Sequence, residues 1–257
     1  MGDIPIEQYI HEDDYLRQRI DPKPNDFFYL SLSDLNIALS KFRIDGEIDL
    51  LDYGSGGSPY RLYFPKARYK RADYLQASGD RLDYVLNQDS EVSEKDESFD
   101  QILSTQVAEH LSNPRKYFSE CFRLLRPKGR LICSTHGYFP DHGCPFDFQR
   151  WTAEGLARDL RDAGFEVEEM YKLTTGSRAF FSILDFSMHD LRFARNSILG
   201  LSVFVLSKLF GMVRSIIYRK LDTIRIDERM VIDKDDQHRF YIGLLAVATK
   251  PLTADEK

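Results

Sequence analysis

The sequence predicts an α/β fold: a parallel sheet with helices on both faces. Three observations predict it. Short apolar runs of strand length alternate with amphipathic helical stretches from about residue 48 to 173, as expected of successive βαβ units. The first run, Asp49-Leu50-Leu51-Asp52-Tyr53, passes into Gly54-Ser55-Gly56-Gly57-Ser58-Pro59, a glycine turn that opens a helix. Finally, 257 residues with 42% apolar and 30% charged content can bury one large core and a modest appendage.

The elements follow in order. Residues 1–47 form an N-terminal helical cap: a charged helix over Glu12–Arg19, a break at Asp21-Pro22-Lys23-Pro24-Asn25-Asp26, and an amphipathic helix over Ser33–Phe42. The opening strand is Ile48–Asp52. Ser58 is placed to cap the next helix, with Pro59 in its first turn, over a short Tyr60–Phe64. Arg68–Tyr74 reads as the second strand, carrying Asp73 at its tip, and Arg81–Leu86 as the third. Phe99–Thr105 is a strand and Glu109–Leu125 a helix, turned off by Arg126-Pro127-Lys128-Gly129. Arg130–Thr135 is the fifth strand. Thr152 caps a helix that Gly164 ends, and Phe165–Leu173 is the sixth strand. The core domain is thus 48–175 plus 238–251, closed by an apolar strand at Arg239–Thr249. A helical insertion, 176–237, lies before that strand and a tail, 252–257, after it.

Totals narrow the function. A net charge of −6, from 41 acids and 35 bases, argues against a nucleic-acid partner. Cys121, Cys133 and Cys144 are widely spaced with no C-x-x-C pair, which fits a reducing compartment. The polar, acidic start predicts no secretory signal, so a cytoplasmic protein is expected.

The insertion holds one strongly apolar stretch, Asn196–Arg219, interrupted by Lys208 and Arg214. Ser207/Lys208, Gly211, Arg214/Ser215 and Tyr218 recur at helical spacing. They predict an amphipathic helix rather than a transmembrane span. Such a helix can cover the acceptor site, pair two subunits, or lie on the inner face of a membrane. Arg225–Asp236 reads as a charged loop.

The glycine turn carries the chemistry. Pro59 stands where a dinucleotide fingerprint wants its third glycine. Asp52 instead suits a ligand with a cationic amine, such as S-adenosylmethionine, and Asp73 can accept hydrogen bonds from ribose hydroxyls. Further pieces follow in order: Glu97-Ser98-Phe99-Asp100, Gln106-Val107-Ala108-Glu109-His110-Leu111, and Arg123-Leu124-Leu125-Arg126-Pro127-Lys128-Gly129. Together with Leu51–Gly56 and Asp73, this set resembles the class I S-adenosylmethionine-dependent methyltransferases, specifically the methyltransferase-11-like group, which implies a Rossmann-like sheet, mostly parallel, of seven strands with the last antiparallel. Ser58-Pro59-Tyr60-Arg61 and the run from Pro145 to Thr152 are similar to members associated with polysaccharide and surface-glycan synthesis.

The resemblance implies roles. Asp52, Gly54, Ser55 and Gly56 would line the methionine end of the cofactor, Asp73 the ribose, and Tyr74, Gln88 and Asp89 the adenine. Thr105 and Gln106 would pass close to the sulfonium. Lys128 departs from the group's usual glycine, and Val92-Ser93-Glu94 from its usual apolar adenine wall.

The loop after the fifth strand offers the acceptor-side groups. A hydroxyl acceptor needs a base, and His142 is the preferred one, with Asp147 beside it as a second catalytic candidate. His136 and Arg150 would face substrate, while an Asp147–Arg150 pair could equally brace the loop. His136, His142 and Asp147 are the residue types of a two-histidine, one-carboxylate site, but their spacing assigns no metal. His110 reads as a residue bonding backbone. The leading expectation is O-methylation of a sugar, glycan or other small hydroxyl acceptor. The alternatives are a metabolite nitrogen or carbon, a lipid, or a non-catalytic scaffold that shares the fold.

Overall fold

Eight strands line up in the order β3-β2-β1-β4-β5-β8-β6-β7 in the structure, a computed structural model that describes residues 12–74, 82–87, 90–143, 146–190, 198–232 and 240–252. They are β1 (Asp49–Tyr53), β2 (Arg68–Asp73), β3 (Tyr84–Val85), β4 (Phe99–Thr105), β5 (Leu125–His136), β6 (Glu166–Thr175), β7 (Met230–Ile232) and β8 (Tyr241–Thr249). The first five pair in parallel, and β8 inserts antiparallel between β5 and β6. That is the predicted seven-stranded sheet. The short β7, an edge strand from the insertion, is added antiparallel to β6.

Strand alternation explains why the sheet is covered twice. Leu51 and Ile102 point into one core with Tyr117, Phe118, Leu156 and Leu160. Those side chains come from helices α3 (Pro114–Leu124) and α4 (Ala153–Asp162). Leu50, Leu103 and Ile132 point the other way, onto Leu35, Ala38 and Leu39 of α2 (Tyr29–Ser40). Ahead of α2 lies α1 (Glu12–Ile20). The insertion supplies α5 (Gly176–Asp190), α6 (Ile198–Leu221) and α7 (Ile226–Arg229).

Several local expectations change. Ser58 does not cap a helix: it adopts φ +53°, and only a 3-10 turn, Arg61–Tyr63, follows. The predicted Glu109–Leu125 helix divides, because Asn113 caps α3 and Pro114 fits its first turn but not a helix interior. A separate 3-10 turn, Ala108–His110, precedes it. Part of the predicted 225–236 loop is ordered as α7 and β7. Thr152 and Gly164 bracket α4 as expected, the threonine hydroxyl accepting from Gly155 N–H and Gly164 taking φ +99°.

The insertion is fastened from inside. Arg178 on α5 is fully buried and donates to Asp34 on α2 at 2.9 Å, to Ser33 Oγ at 2.9 Å and to Asp222 after α6 at 3.0 Å. Farther up α6, Arg214 and Tyr218 reach Asp185 of α5 at 3.1 and 2.8 Å. The C-terminal end of the polar stripe, Arg214 to Tyr218, therefore faces the protein, while Lys208 and Gly211 and most apolar positions of α6 are exposed. Met212, Ile216 and Leu201 are 67%, 62% and 59% exposed.

Candidate active site

Strand order reverses between β1 and β4, and the crevice outside their carboxyl ends is where open α/β sheets bind ligands. Five of the predicted cofactor residues, Gly54, Ser55, Gly56, Asp73 and Tyr74, meet there. Gly54 N–H and Ser55 N–H both donate to the Ala72 carbonyl, at 2.8 and 3.1 Å, tying the loop to β2. Gly54 takes φ +70°, and a Cβ there would lie 2.4 Å from Val107 Cγ2. Gly56 N–H donates to Asp73 Oδ2 at 2.7 Å, and Asp73 Oδ1 accepts from Tyr74 N–H at 2.7 Å. Two backbone donors thus fix the Asp73 carboxylate, which keeps lone pairs for further donors. The Tyr74 hydroxyl reaches Ser90 Oγ.

Asp52 is 3% exposed and accepts from the Tyr69 hydroxyl at 2.6 Å. Burial pushes its carboxyl up to about 7, against the opposing pull of its hydrogen bonds. Ser55 Oγ is buried and has no partner. Gln106, at φ +55°, donates its N–H to the Ser134 carbonyl at 2.8 Å, just beyond Thr105 at the end of β4. Gln88 and Asp89 lie outside the described residues.

One cover of this crevice was not expected. Helix α1 lies against the glycine loop, with Leu16 where a Cβ on Gly57 would fall. Its Arg19 donates to Gln106 Oε1 at 2.8 Å.

A second cluster sits at the end of β5. His136 is 3% exposed, with its ring stacked on Phe139 at 3.9 Å. Phe186 of α5 is 5.2 Å beyond that ring. Burial drives His136 well below the ordinary histidine range, so it is neutral. Glu109 is fully buried; Thr135 Oγ1 donates to its Oε2 at 2.9 Å, and burial lifts its carboxyl to about 7. His142 turns its ring edge toward His136, centroids 4.9 Å apart, and burial lowers its pKa too. His110 Nδ1 bonds the Phe146 carbonyl at 2.6 Å.

Asp147 and Arg150 are occupied with each other. Arg150 holds both carboxylate oxygens, at 2.5 and 2.6 Å, and His142 N–H donates to Oδ2 at 2.7 Å. Burial would raise Asp147, but Arg150 and the backbone donor outweigh it and hold it well below the usual carboxylate range. Such a carboxylate is a poor base. The geometry gives Asp147 and Arg150 the bracing role, with Asp147 Oδ2 also 3.4 Å from His142 Nδ1. The carboxylate that does meet the two histidines is Glu109. Its signal in the sequence was a lone acid between Ala108 and Leu111, both buried.

A glycine loop, an acid at the tip of β2 and a switch-point crevice define the class: a Rossmann-like fold with a nucleotide-type site. Residues 51–133 match the protein family described as "Methyltransferase domain". Among curated proteins, a "Probable S-adenosylmethionine-dependent methyltransferase" of Mycolicibacterium smegmatis is 34% identical over 102 residues, 37% of this chain and 40% of that protein. The ubiquinone biosynthesis O-methyltransferase of Cereibacter sphaeroides is 34% identical over 62 residues, 24% of this chain and 25% of that enzyme. The alignments thus span 40% or less of these curated relatives. Among solved structures, the 4+2 cyclase SpnF superposes with a TM-score of 0.53 at 20% identity, over 88% of this chain and 83% of that one. That likeness shows the fold, which evidently also serves a reaction of a different name.

Proposed function

We propose that this protein is an S-adenosylmethionine-dependent O-methyltransferase acting on a hydroxyl of a sugar, glycan or other small acceptor, at the cytoplasmic side of a membrane. The observation that carries it is the glycine loop. Gly54 holds a path that a Cβ, 2.4 Å from Val107, would disturb; Ser55 Oγ has no hydrogen-bond partner among the described residues, and the buried Asp52 gains from a cation beside it. These features fit the cofactor's ammonium-bearing end, and the fixed Asp73 carboxylate fits a ribose diol. When bound, the cofactor supplies a methyl group on a sulfonium. The chain's own contribution is alignment and exclusion of water, with α1 closed over the loop through Leu16 and Arg19. His142, neutral and braced by Asp147, is the group suited to take the acceptor's proton.

The acceptor class rests on the rim. Tyr138, Phe146, Phe148 and Phe240 are each more than half exposed around the 136–151 loop. Exposed aromatics grouped in this way mark a binding surface, and their faces suit the apolar face of a sugar ring. Calorimetry with S-adenosylmethionine tests the cofactor, and transfer of a labelled methyl group to nucleotide sugars, extracted glycans and lipids tests the acceptor. Absence of cofactor binding would overturn the enzyme reading. Transfer only to nitrogen or carbon acceptors would overturn the hydroxyl.

Membrane contact rests on α6. Residues Leu201–Leu221 are long and apolar enough to cross a membrane by length and composition. The C-terminal end of their polar stripe, however, is docked on Asp185, which fits a helix lying along a membrane surface. Co-sedimentation with anionic vesicles should be lost in Phe204→Glu and Leu209→Glu variants. Equal sedimentation of wild type and variants, or a concentration-dependent dimer that the same variants dissolve, would replace the membrane with a second subunit.

A further inference from the structure

The cluster below the acceptor loop has more ligating power than proton transfer uses. Glu109, His136 and His142 each offer one ligand atom, and all three atoms lie within 4.8 Å of one another. Glu109 Oε1 is 3.1 Å from His136 Nε2, close enough for an ion pair. Yet the two make no hydrogen bond, and among the described residues Oε1 is a buried oxygen with no hydrogen-bond partner. A fully buried carboxylate oxygen without a hydrogen-bond partner is costly. Two ligand atoms 3.1 Å apart without a hydrogen bond between them, and a third within 4.8 Å, are close enough to share one ion.

We propose that Glu109, His136 and His142 bind a divalent first-row transition-metal ion. Two neutral imidazoles and a carboxylate are the donor set that such ions take, and the open positions left over would hold water or a substrate oxygen. The remaining atoms around the cluster are arranged as a supporting shell. Glu109 Oε2 accepts from Thr135, the His136 ring is clamped on Phe139, and His142 Nδ1 bonds the Pro140 carbonyl at 3.3 Å with Asp147 Oδ2 3.4 Å away, leaving Nε2 for the metal. Carboxylates behind ligating histidines orient them in this way. Metal bonds of about 2.1 Å need ligand atoms about 3.4 Å apart in a tetrahedron. Atoms up to 4.8 Å apart reach that spacing by a shift of up to about 1.4 Å, which a half-buried side chain on a loop such as His142 can make. The other histidine near by, His110, is committed to the Phe146 carbonyl and is not part of the set. A hydroxyl coordinated here would lose its proton near neutral pH, a route that replaces His142 as the base, since a metal-bound imidazole has no lone pair left to accept a proton. That consequence rests on the methyl-transfer reading, whereas metal binding does not.

The test uses the full chain, stripped by chelator. Zinc is titrated calorimetrically, and cobalt is followed by its visible d–d absorption. The expected result is one equivalent bound tightly at micromolar protein, with at least tenfold weaker binding in Glu109→Gln and in His142→Asn. His110→Gln should retain wild-type affinity. His142→Asn guards against misfolding, since it alters a half-buried loop position, and far-UV circular dichroism checks each variant. No binding by wild type, unchanged binding in both ligand variants, or equal loss in His110→Gln would overturn the proposal. Cofactor binding by calorimetry is measured in parallel. Metal binding without it would overturn the methyltransferase reading and leave the metal site standing.

Discussion

Gly54→Ala is the sharpest test of the cradle, because the structure says where the added atom goes. The new Cβ falls 2.4 Å from Val107 Cγ2 and 2.9 Å from Cγ1, both well inside contact distance. The backbone there sits at φ +70°, which costs a residue with a Cβ about 1–2 kcal/mol. Relieving the overlap adds about 1–2 kcal/mol, typical of an overpacked site, so the total is about 2–4 kcal/mol. In a chain of this size that lowers Tm by about 5–15 °C. The two parts separate in a double-mutant cycle. Val107→Ala removes the colliding methyls, so adding it to Gly54→Ala should recover about 1–2 kcal/mol while the backbone cost remains. Chemical denaturation of the four proteins gives the coupling, and calorimetry on the same samples gives cofactor affinity. Binding should weaken at least tenfold in the single variant and recover only in part in the double. A Gly54→Ala protein with unchanged stability and unchanged affinity would refute the cradle. A coupling near zero would show that Val107 is not what the glycine makes room for.

Three further outcomes follow from buried or strained groups. The folded Asp52 carboxyl, at about 7, lies above the unfolded value of about 3.9, so its protonated form adds stability that is full below about pH 4 and lost as pH rises through 7. Between pH 5.5 and 8, thermal unfolding of Asp52→Asn should therefore fall less steeply than wild type, and stabilisation by the cationic cofactor should grow with pH in wild type alone; parallel profiles would refute the assignment. Arg178→Met leaves Asp34 buried without its cation and should cost about 3–5 kcal/mol by denaturation, with most of it regained in Arg178→Met/Asp34→Leu; a loss under about 1 kcal/mol would refute the buried link. Lys128 is held at φ +64°, so Lys128→Gly should raise stability by about 1 kcal/mol and Tm by about 2–4 °C; no gain would mean that the turn relaxes at no cost.

How much of this was legible in the chain depended on whether the signal was local. Strand runs such as Leu50-Leu51 and Phe99–Thr105, the cap at Thr152 and the stop at Gly164 are written in neighbouring residues, and the structure places them there. Asp52, Gly54, Gly56 and Asp73 were legible because a turn at the end of one strand and an acid at the end of the next must converge at a switch point. The division at Asn113–Pro114 was also written locally, and the apolar spacing beyond it overrode the proline in the reading. Contacts distant in sequence left no such mark. Arg19 reaches Gln106 across 87 residues, and Arg178 reaches Asp34 across 144. The partners of Asp147 were ambiguous for a related reason: a carboxylate three residues from an arginine reads the same whether it serves chemistry or the loop.

The helix α6 shows how an amphipathic pattern can be legible while the partner of its polar residues is not. Polar residues at helical intervals identify an amphipathic helix, and by default the polar face is given to water. Here Arg214 and Tyr218 find a buried acid, Asp185, on the neighbouring helix. Satisfying that acid is worth more than hydrating a surface arginine, because an unpaired buried carboxylate is far costlier than an exposed apolar side chain. Docking that end of the stripe leaves Leu201, Leu206, Leu209, Met212 and Ile216 outward, on a surface that water alone does not favour. These positions are exposed among the described residues, and the membrane surface or second subunit proposed above would bury them. The glycine loop and the histidine cluster concern what the protein does to an acceptor; α6 concerns where it meets one. A lipid surface beside a site rimmed by Tyr138, Phe146, Phe148 and Phe240 would bring a lipid-linked sugar within reach without a long soluble search.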